Sequence, residues 1–467
     1  MIKKLVSHTA VYGLAPHVSK IASFFVLPII TQHLTAVDYG VFGVITAAIG
    51  LISVLASLGL RVVLVNSFFK SPNHYKWLWR QVYGFLILWS LPYIVLMTIL
   101  IYFIIPEEAK MNVWPIIFLN LIPIVFFGQT STLAMTYYQM CKKPAPIAIR
   151  VIVFGILSVF LNWYTIAELK LGYMGWFWSA FIASMLMNIS YWIPLNYKIG
   201  ITPIFNFKWR LITQSLKVAL PTVPHYYSGY LLNTSDKLIM EFLRVDATSI
   251  GKYNVAYTFG NYFNSLGTAS GFAVGPLLNE CYKKGNEVKA RALIFIQQIA
   301  FFVLTFLICL WMKELFVFFI RNDELNKMYG LGVVIVMGYN YRPMYFGANA
   351  KLMYLEKTNL LWRVSFIAGV GNVILNLVLI PLFGFQAAAY TTFVSLMYIG
   401  YAGYFFKEFK AHTTVLYYPF VWLAATVVLT IISIYAVDFN WAFKSIMTAI
   451  VLIAGGIIII NLNNKYE

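Results

Sequence analysis

The chain has 467 residues, 61% of them hydrophobic and 11% charged, with a formal net charge of +18 and a mean hydropathy of +0.77. Too little charge is present to clothe a water-soluble domain of this size, and the apolar runs are too long and too even for an outer-membrane barrel, whose strands alternate. The three cysteines, Cys141, Cys281 and Cys309, are scattered and odd in number, which argues against a disulfide framework, and they lack metal or redox spacing.

Apolar runs of helix length alternate with short polar links along the whole chain. A helix of about 20 apolar residues crosses about 30 Å of hydrocarbon, and helices bond their own backbone where water is absent. Fourteen spans are predicted: 5–30, 39–65, 80–105, 114–138, 146–167, 173–195, 215–240, 253–279, 292–319, 328–354, 361–383, 385–406, 415–436 and 441–461. The opening cations run into an apolar stretch with no convincing cleavage site, so this stretch is read as the first span and not as a removable signal. With the N-terminus in the cytoplasm, 22 of the 34 Lys and Arg fall on cytoplasmic links, nine on outer links, and three inside spans. That asymmetry follows the positive-inside rule. It assigns most of the positive charge to topology and not to nucleic acid, and it places both termini in the cytoplasm.

No link is long enough to hold a soluble domain, and no Gly-rich phosphate loop occurs. Any active transport must therefore draw on an ion gradient, on substrate flow or on a separate protein. The text around Lys143 and Asn162 is repeated in texture around Lys357 and Asn376, with the same 19-residue spacing. The copies lie six spans apart, which gives them the same orientation and predicts two parallel six-helix bundles. The expected domains are 1–200 and 201–410, with 411–467 as an appended helix pair.

The three cations inside spans are Lys20, Arg61 and Arg342. A cation at a helix centre costs about 2.5–3.5 kcal/mol on insertion scales and should face protein or water. Together they suggest an anion site, with phosphate the natural ligand. Arg61 could also snorkel to the cytoplasmic surface, and Lys20 and Arg342 could bond carbonyls or acids. Prolines 16, 28, 92, 221, 224 and 343 mark places where a helix loses a donor. The densest stretch, "VALPTVPHYYSGYLLNTSDK", puts Pro221, Pro224, His225 and Asp236 on the seventh span, His225 as a candidate substrate-binding residue and Pro221, Pro224 and Asp236 as candidate gate or coupling residues. His225 could titrate near neutrality or be structural. Asp236 and Lys237, near the outer end, could pair with neighbours or face water. No carboxylate pair in a span, H-E-x-x-H or G-x-S-x-G is present, so an enzyme is not expected.

Three stretches carry a family resemblance. They are "LVSHTAVYGLAPHVSKIASFFVLPIITQHLTAVDYGVFGV", "LLNTSDKLIMEFLRVDATSIGKYNVAYTFG" and, most specifically, "GNVILNLVLIPLFGFQAAAYTTFVS". In these the chain resembles the O-antigen or capsule repeat-unit flippases of the multidrug/oligosaccharidyl-lipid/polysaccharide exporter superfamily. The resemblance implies a V-shaped pair of six-helix bundles in the bacterial cytoplasmic membrane, acting as a monomer. It implies flipping of an undecaprenyl-pyrophosphate-linked oligosaccharide, for O-antigen, capsule or exopolysaccharide synthesis, alongside a polymerase machinery. Lys20 and Arg61 fall where cavity cations of the first two helices are expected, Arg342 less closely. No cofactor is implied, and Na+ or H+ remains open as coupling ion. A cation-coupled multidrug exporter and a non-transporting partner of polymerisation are the alternative readings.

Overall fold

The computed structural model describes residues 18–466, and these are helical throughout, joined by turns and short links. Helix α1 is Val18–Ile30. Then follow α2 (Ala36–Ser53), α3 (Arg61–Lys70), α4 (Tyr75–Ile104), α5 (Val113–Phe127), α6 (Thr130–Met140), α7 (Ala145–Trp163), α8 (Tyr173–Ile193), α9 (Trp209–Ala219), α10 (Val223–Asn233) and α11 (Ser235–Phe242). The rest is α12 (Ala247–Lys283), α13 (Glu287–Leu310), α14 (Met312–Phe319), α15 (Tyr329–Gly338), α16 (Arg342–Tyr354), α17 (Thr358–Phe383), α18 (Ala387–Tyr401), α19 (Lys407–Ala411), α20 (Pro419–Ala436) and α21 (Trp441–Tyr466). Each of the fourteen expected spans contains helix, the first being described from Val18, so Pro16 lies outside the described residues. Eight helical stretches among the described residues are long and apolar enough to cross a membrane unaided. Several of the other spans are broken helices.

The breaks have identifiable causes. The second span stops at Ser53 and resumes at Arg61, because Leu58 and Gly59 take positive φ (49° and 71°). The indole of Trp89 bonds the Leu55 carbonyl at 3.0 Å, which satisfies one group the break releases. The seventh span is interrupted by a 3-10 turn at Leu220–Thr222, where Pro221 cannot donate. It breaks again at Thr234, and there the Tyr257 hydroxyl bonds the Asn233 carbonyl at 2.7 Å. The tenth span tightens into a 3-10 turn over Tyr339–Tyr341 just before Arg342 and Pro343. In lipid such irregular backbone persists only where protein re-bonds it.

Packing divides the chain into two units. One runs to Tyr230 and takes in Asp246–Gly251; the other comprises Leu231–Val245 and everything from Lys252 onward. The sequence reading begins its second bundle at 201, but residues 209–230 pack with the first unit, since Ile212 and Ala219 share a core with Leu60, Leu64, Trp79 and Tyr83. The start of α12 also joins the first unit through small residues: a Cβ on Gly40 would meet the Ala247 carbonyl oxygen at 1.9 Å, and one on Gly251 that of Ala36 at 1.7 Å. Only glycine permits backbones to cross so closely. A second core of this unit gathers Val41, Ile45, Met97, Ile116 and Phe177. The appended pair α20 and α21 belongs to the second unit, with Phe306, Leu310 and Ala436 buried together.

Candidate functional site

Arg61 is the first residue of α3, directly after the break. Its side chain is exposed and donates to Gln139 Oε1 at 2.8 Å. The positive end of a restarted helix and the guanidinium therefore coincide, which raises the local potential toward anions. The break itself is seated on the proline turn of the seventh span: a Cβ on Gly59 would lie 2.5 Å from Thr222 Oγ1 and 2.6 Å from the Ala219 carbonyl. The structure thus places Arg61 and Pro221 in one neighbourhood of the first unit. Pro224 lies in the first turn of α10, where a missing N–H costs least. Lys20 is exposed on α1, whose Ser19 sits against Gly155 of α7. The side chain of His225 lies outside the described residues.

In the second unit Asp236 is enclosed, with 1% of its surface exposed. Neither a water-facing role nor a pairing confined to sequence neighbours describes it. Its carboxylate accepts from the Tyr253 hydroxyl at 2.5 Å, Asn376 Nδ2 at 2.8 Å and Thr392 Oγ1 at 3.0 Å. Asn372, one turn before Asn376, adds a donor at 2.9 Å when its amide is oriented to suit its neighbours. Thr391 in turn donates to Asn376. Lys237 is buried beside this cluster with its ammonium 5.4 Å from the centre of the Tyr257 ring. Burying a charge demands such a shell. Among the described residues no three His, Cys, Asp or Glu converge as a metal site. Two hydroxyls and an amide N–H occupy the carboxylate oxygens of Asp236.

Arg342 is half-buried in the same unit. Its guanidinium donates to Asn264 and, at 3.4 Å, to Thr268, and lies 5.8 and 5.7 Å from the ring centres of Tyr339 and Tyr341. Gly267 makes room for it, since a Cβ there would come within 2.4 Å of Arg342 Cδ. Its Nε is buried with no protein acceptor. Tyrosines lie between the two sites: Tyr253 and Tyr257 have ring centres 5.8 Å apart, Tyr257 lies close to Tyr339, and Tyr339 faces Arg342.

Sequence reading missed Asn376, Thr392, Tyr253, Asn264 and Gln139 as partners. A usable signal existed for two of them: Asn372 and Asn376, one turn apart in an otherwise apolar helix, are costly in lipid unless bonded. Sequence reading also held no sign of the partner of Lys444, which is fully buried in α21 and donates to both oxygens of Glu314, at 2.6 and 2.8 Å.

Comparison with known proteins agrees with this architecture. A family profile described as "Polysaccharide biosynthesis protein" matches residues 5–281. Among solved structures, the chain is similar to the lipid II flippase MurJ in an inward closed conformation, at 14% identity and a TM-score of 0.73, over 97% of this chain and 98% of that one. It is also similar to a multidrug resistance MATE family transporter of the MOP superfamily. The inward-facing form gives 12% identity and a TM-score of 0.61 over 90% and 95% of the two chains; the outward-facing form gives 13% and 0.56 over 90% and 96%. Comparison with curated protein sequences finds no match. At these identities the likeness establishes the fold: an all-α, multi-span integral membrane protein of two bundles.

Proposed function

Since the chain belongs to the polysaccharide biosynthesis protein family, we propose that it flips an undecaprenyl-pyrophosphate-linked oligosaccharide from the cytoplasmic to the outer leaflet of the bacterial cytoplasmic membrane. The observation that carries this reading is Arg61, an exposed guanidinium at a helix restart inside an apolar span. An intramembrane cation left open to exchange partners attracts a phosphate, and a low-dielectric surround strengthens that attraction. Lys20 adds a second exposed cation. Arg342, presented between tyrosine rings, suits a diphosphate or a sugar hydroxyl. The lipid tail stays in the bilayer while the head group crosses by alternating access. The occurrence of one similar fold in inward- and outward-facing forms supports that mode.

Pro221 and the Leu58–Gly59 turn are the elements with least regular backbone bonding next to Arg61, and they act as its hinge. Asp236 is the coupling residue. A proton or Na+ on its carboxylate changes the charge of a cluster that reaches Arg342 through Tyr253, Tyr257 and Tyr339.

Translocation of a lipid-pyrophosphate-linked oligosaccharide in proteoliposomes tests the reading. Wild type should transfer it, and K20A, R61A and R342A should each lower the rate at least tenfold while inserting normally. Drug or dye export without oligosaccharide transfer would instead establish a multidrug exporter. Transfer indifferent to all three substitutions would keep the cargo and remove the anion site. Absence of any transport would leave a non-transporting partner of polymerisation.

A further inference from the structure

Away from these sites, a cavity of about 850 Å³ opens where α14 meets the start of α21. Its walls are Trp311, Leu315, Val317, Phe318 and Trp441, and its charged groups are Lys313, Glu314 and Arg321. Val317, Phe318 and Trp441 are about two-thirds exposed, at 59%, 61% and 67%, so the apolar wall is open to its surroundings. The two indoles meet edge to face at 5.0 Å, and Trp311 is fixed by its Nε1 donating to Thr448 at 3.0 Å.

The electrostatics are asymmetric. Both oxygens of Glu314 are turned to the buried ammonium of Lys444, so this acid presents little charge to the cavity. Lys313 shares Asp438 at 2.9 Å while remaining 45% exposed, and Arg321 lies exposed along the wall. The cation distribution puts this end of the second unit on the outer side of the membrane. Nine cations are assigned to that side, and two of them, Lys313 and Arg321, line this one aromatic-edged cavity.

We propose that this cavity is a binding site for an anionic phospholipid of the outer leaflet, with the phosphate on Lys313 and Arg321 and an acyl chain along Leu315, Val317 and Phe318. A basic rim over an apolar, aromatic-edged wall at the membrane interface has the complementarity such a lipid needs. Because α14 ends the ninth span and α21 is the fourteenth, a bound lipid fastens the appended pair to the second bundle. This site is independent of the cargo.

Native mass spectrometry of the full-length protein, titrated with phosphatidylglycerol and with phosphatidylcholine, tests it. Wild type should hold one phosphatidylglycerol at least tenfold more tightly than phosphatidylcholine. R321Q should abolish that preference, and V317W, which fills the cavity, should remove the tight site for both lipids. Thermal unfolding of each variant checks that the fold survives. Equal binding of the two lipids by wild type, or a preference unchanged in both variants, overturns the proposal. Tighter binding of a polyprenyl phosphate than of phosphatidylglycerol, lost in V317W, overturns it in favour of a cargo subsite.

Discussion

The two units treat intramembrane charge in opposite ways. The first leaves Lys20 and Arg61 exposed, with Arg61 held by one amide. The second encloses its charges: Asp236 among a tyrosine, an asparagine and a threonine, Arg342 between tyrosines, Lys444 on Glu314, and Lys351 on Glu287. Even the repeated asparagines differ. Asn376 donates to Asp236, whereas the buried Oδ1 of its counterpart Asn162 has no protein partner. Enclosed charges are part of what holds the second unit together, whereas Lys20 and Arg61 lie exposed on the first. Substitution should separate these roles, stability from transport.

The largest stability effect is expected at Lys444. Lys444→Ala leaves the part-buried Glu314 carboxylate without its ammonium partner and should cost about 3 kcal/mol, read as a lowered unfolding temperature of the purified protein. Asp236→Ala comes next. It leaves the Tyr253, Asn376 and Thr392 donors without an acceptor, at about 1–3 kcal/mol in total after relaxation. Asp236→Asn should recover most of that stability yet not the ion dependence of transport; full ion-dependent transport by D236N would remove Asp236 from the coupling role. Gly267→Ala should cost about 1 kcal/mol by displacing Arg342 from Asn264, and transport by G267A should resemble that of R342A.

A smaller effect concerns Asp438, on the link before α21. The hydrogen bond from Lys313 holds its carboxyl below the usual carboxylate range. The folded value is depressed, so the stabilisation is present above the unfolded value of about 3.9 and is lost as pH falls through the folded one. The pair is largely exposed and worth well under about 1 kcal/mol. The unfolding-temperature gap between wild type and D438N should be small at pH 7 and close below that range. Smallest of all is Arg61→Ala, expected to change stability by less than about 0.5 kcal/mol while transport collapses. A strongly destabilised R61A would erase the contrast between the units.

The helical spans and the proline turn at Pro221 were legible in the sequence. Hydropathy, the missing proline donor and the cost of charge in lipid act at the residue itself, whatever packs against it. The interruption of the second span was not legible, since it contains no proline. Leu58 and Gly59 take up positive φ, and at Gly59 the distant Ala219 and Thr222 leave no space for a Cβ. The surroundings of Asp236 likewise depended on distant partners, Asn376 and Thr392, which lie 140 and 156 residues away. Nor does a lysine four residues into an apolar helix announce that a carboxylate from another helix will bury it. Local composition decided which segments enter the membrane; only the packing of helices distant in sequence decided which of their charges are enclosed and which stay open, because a buried charge survives only where another segment supplies its partner.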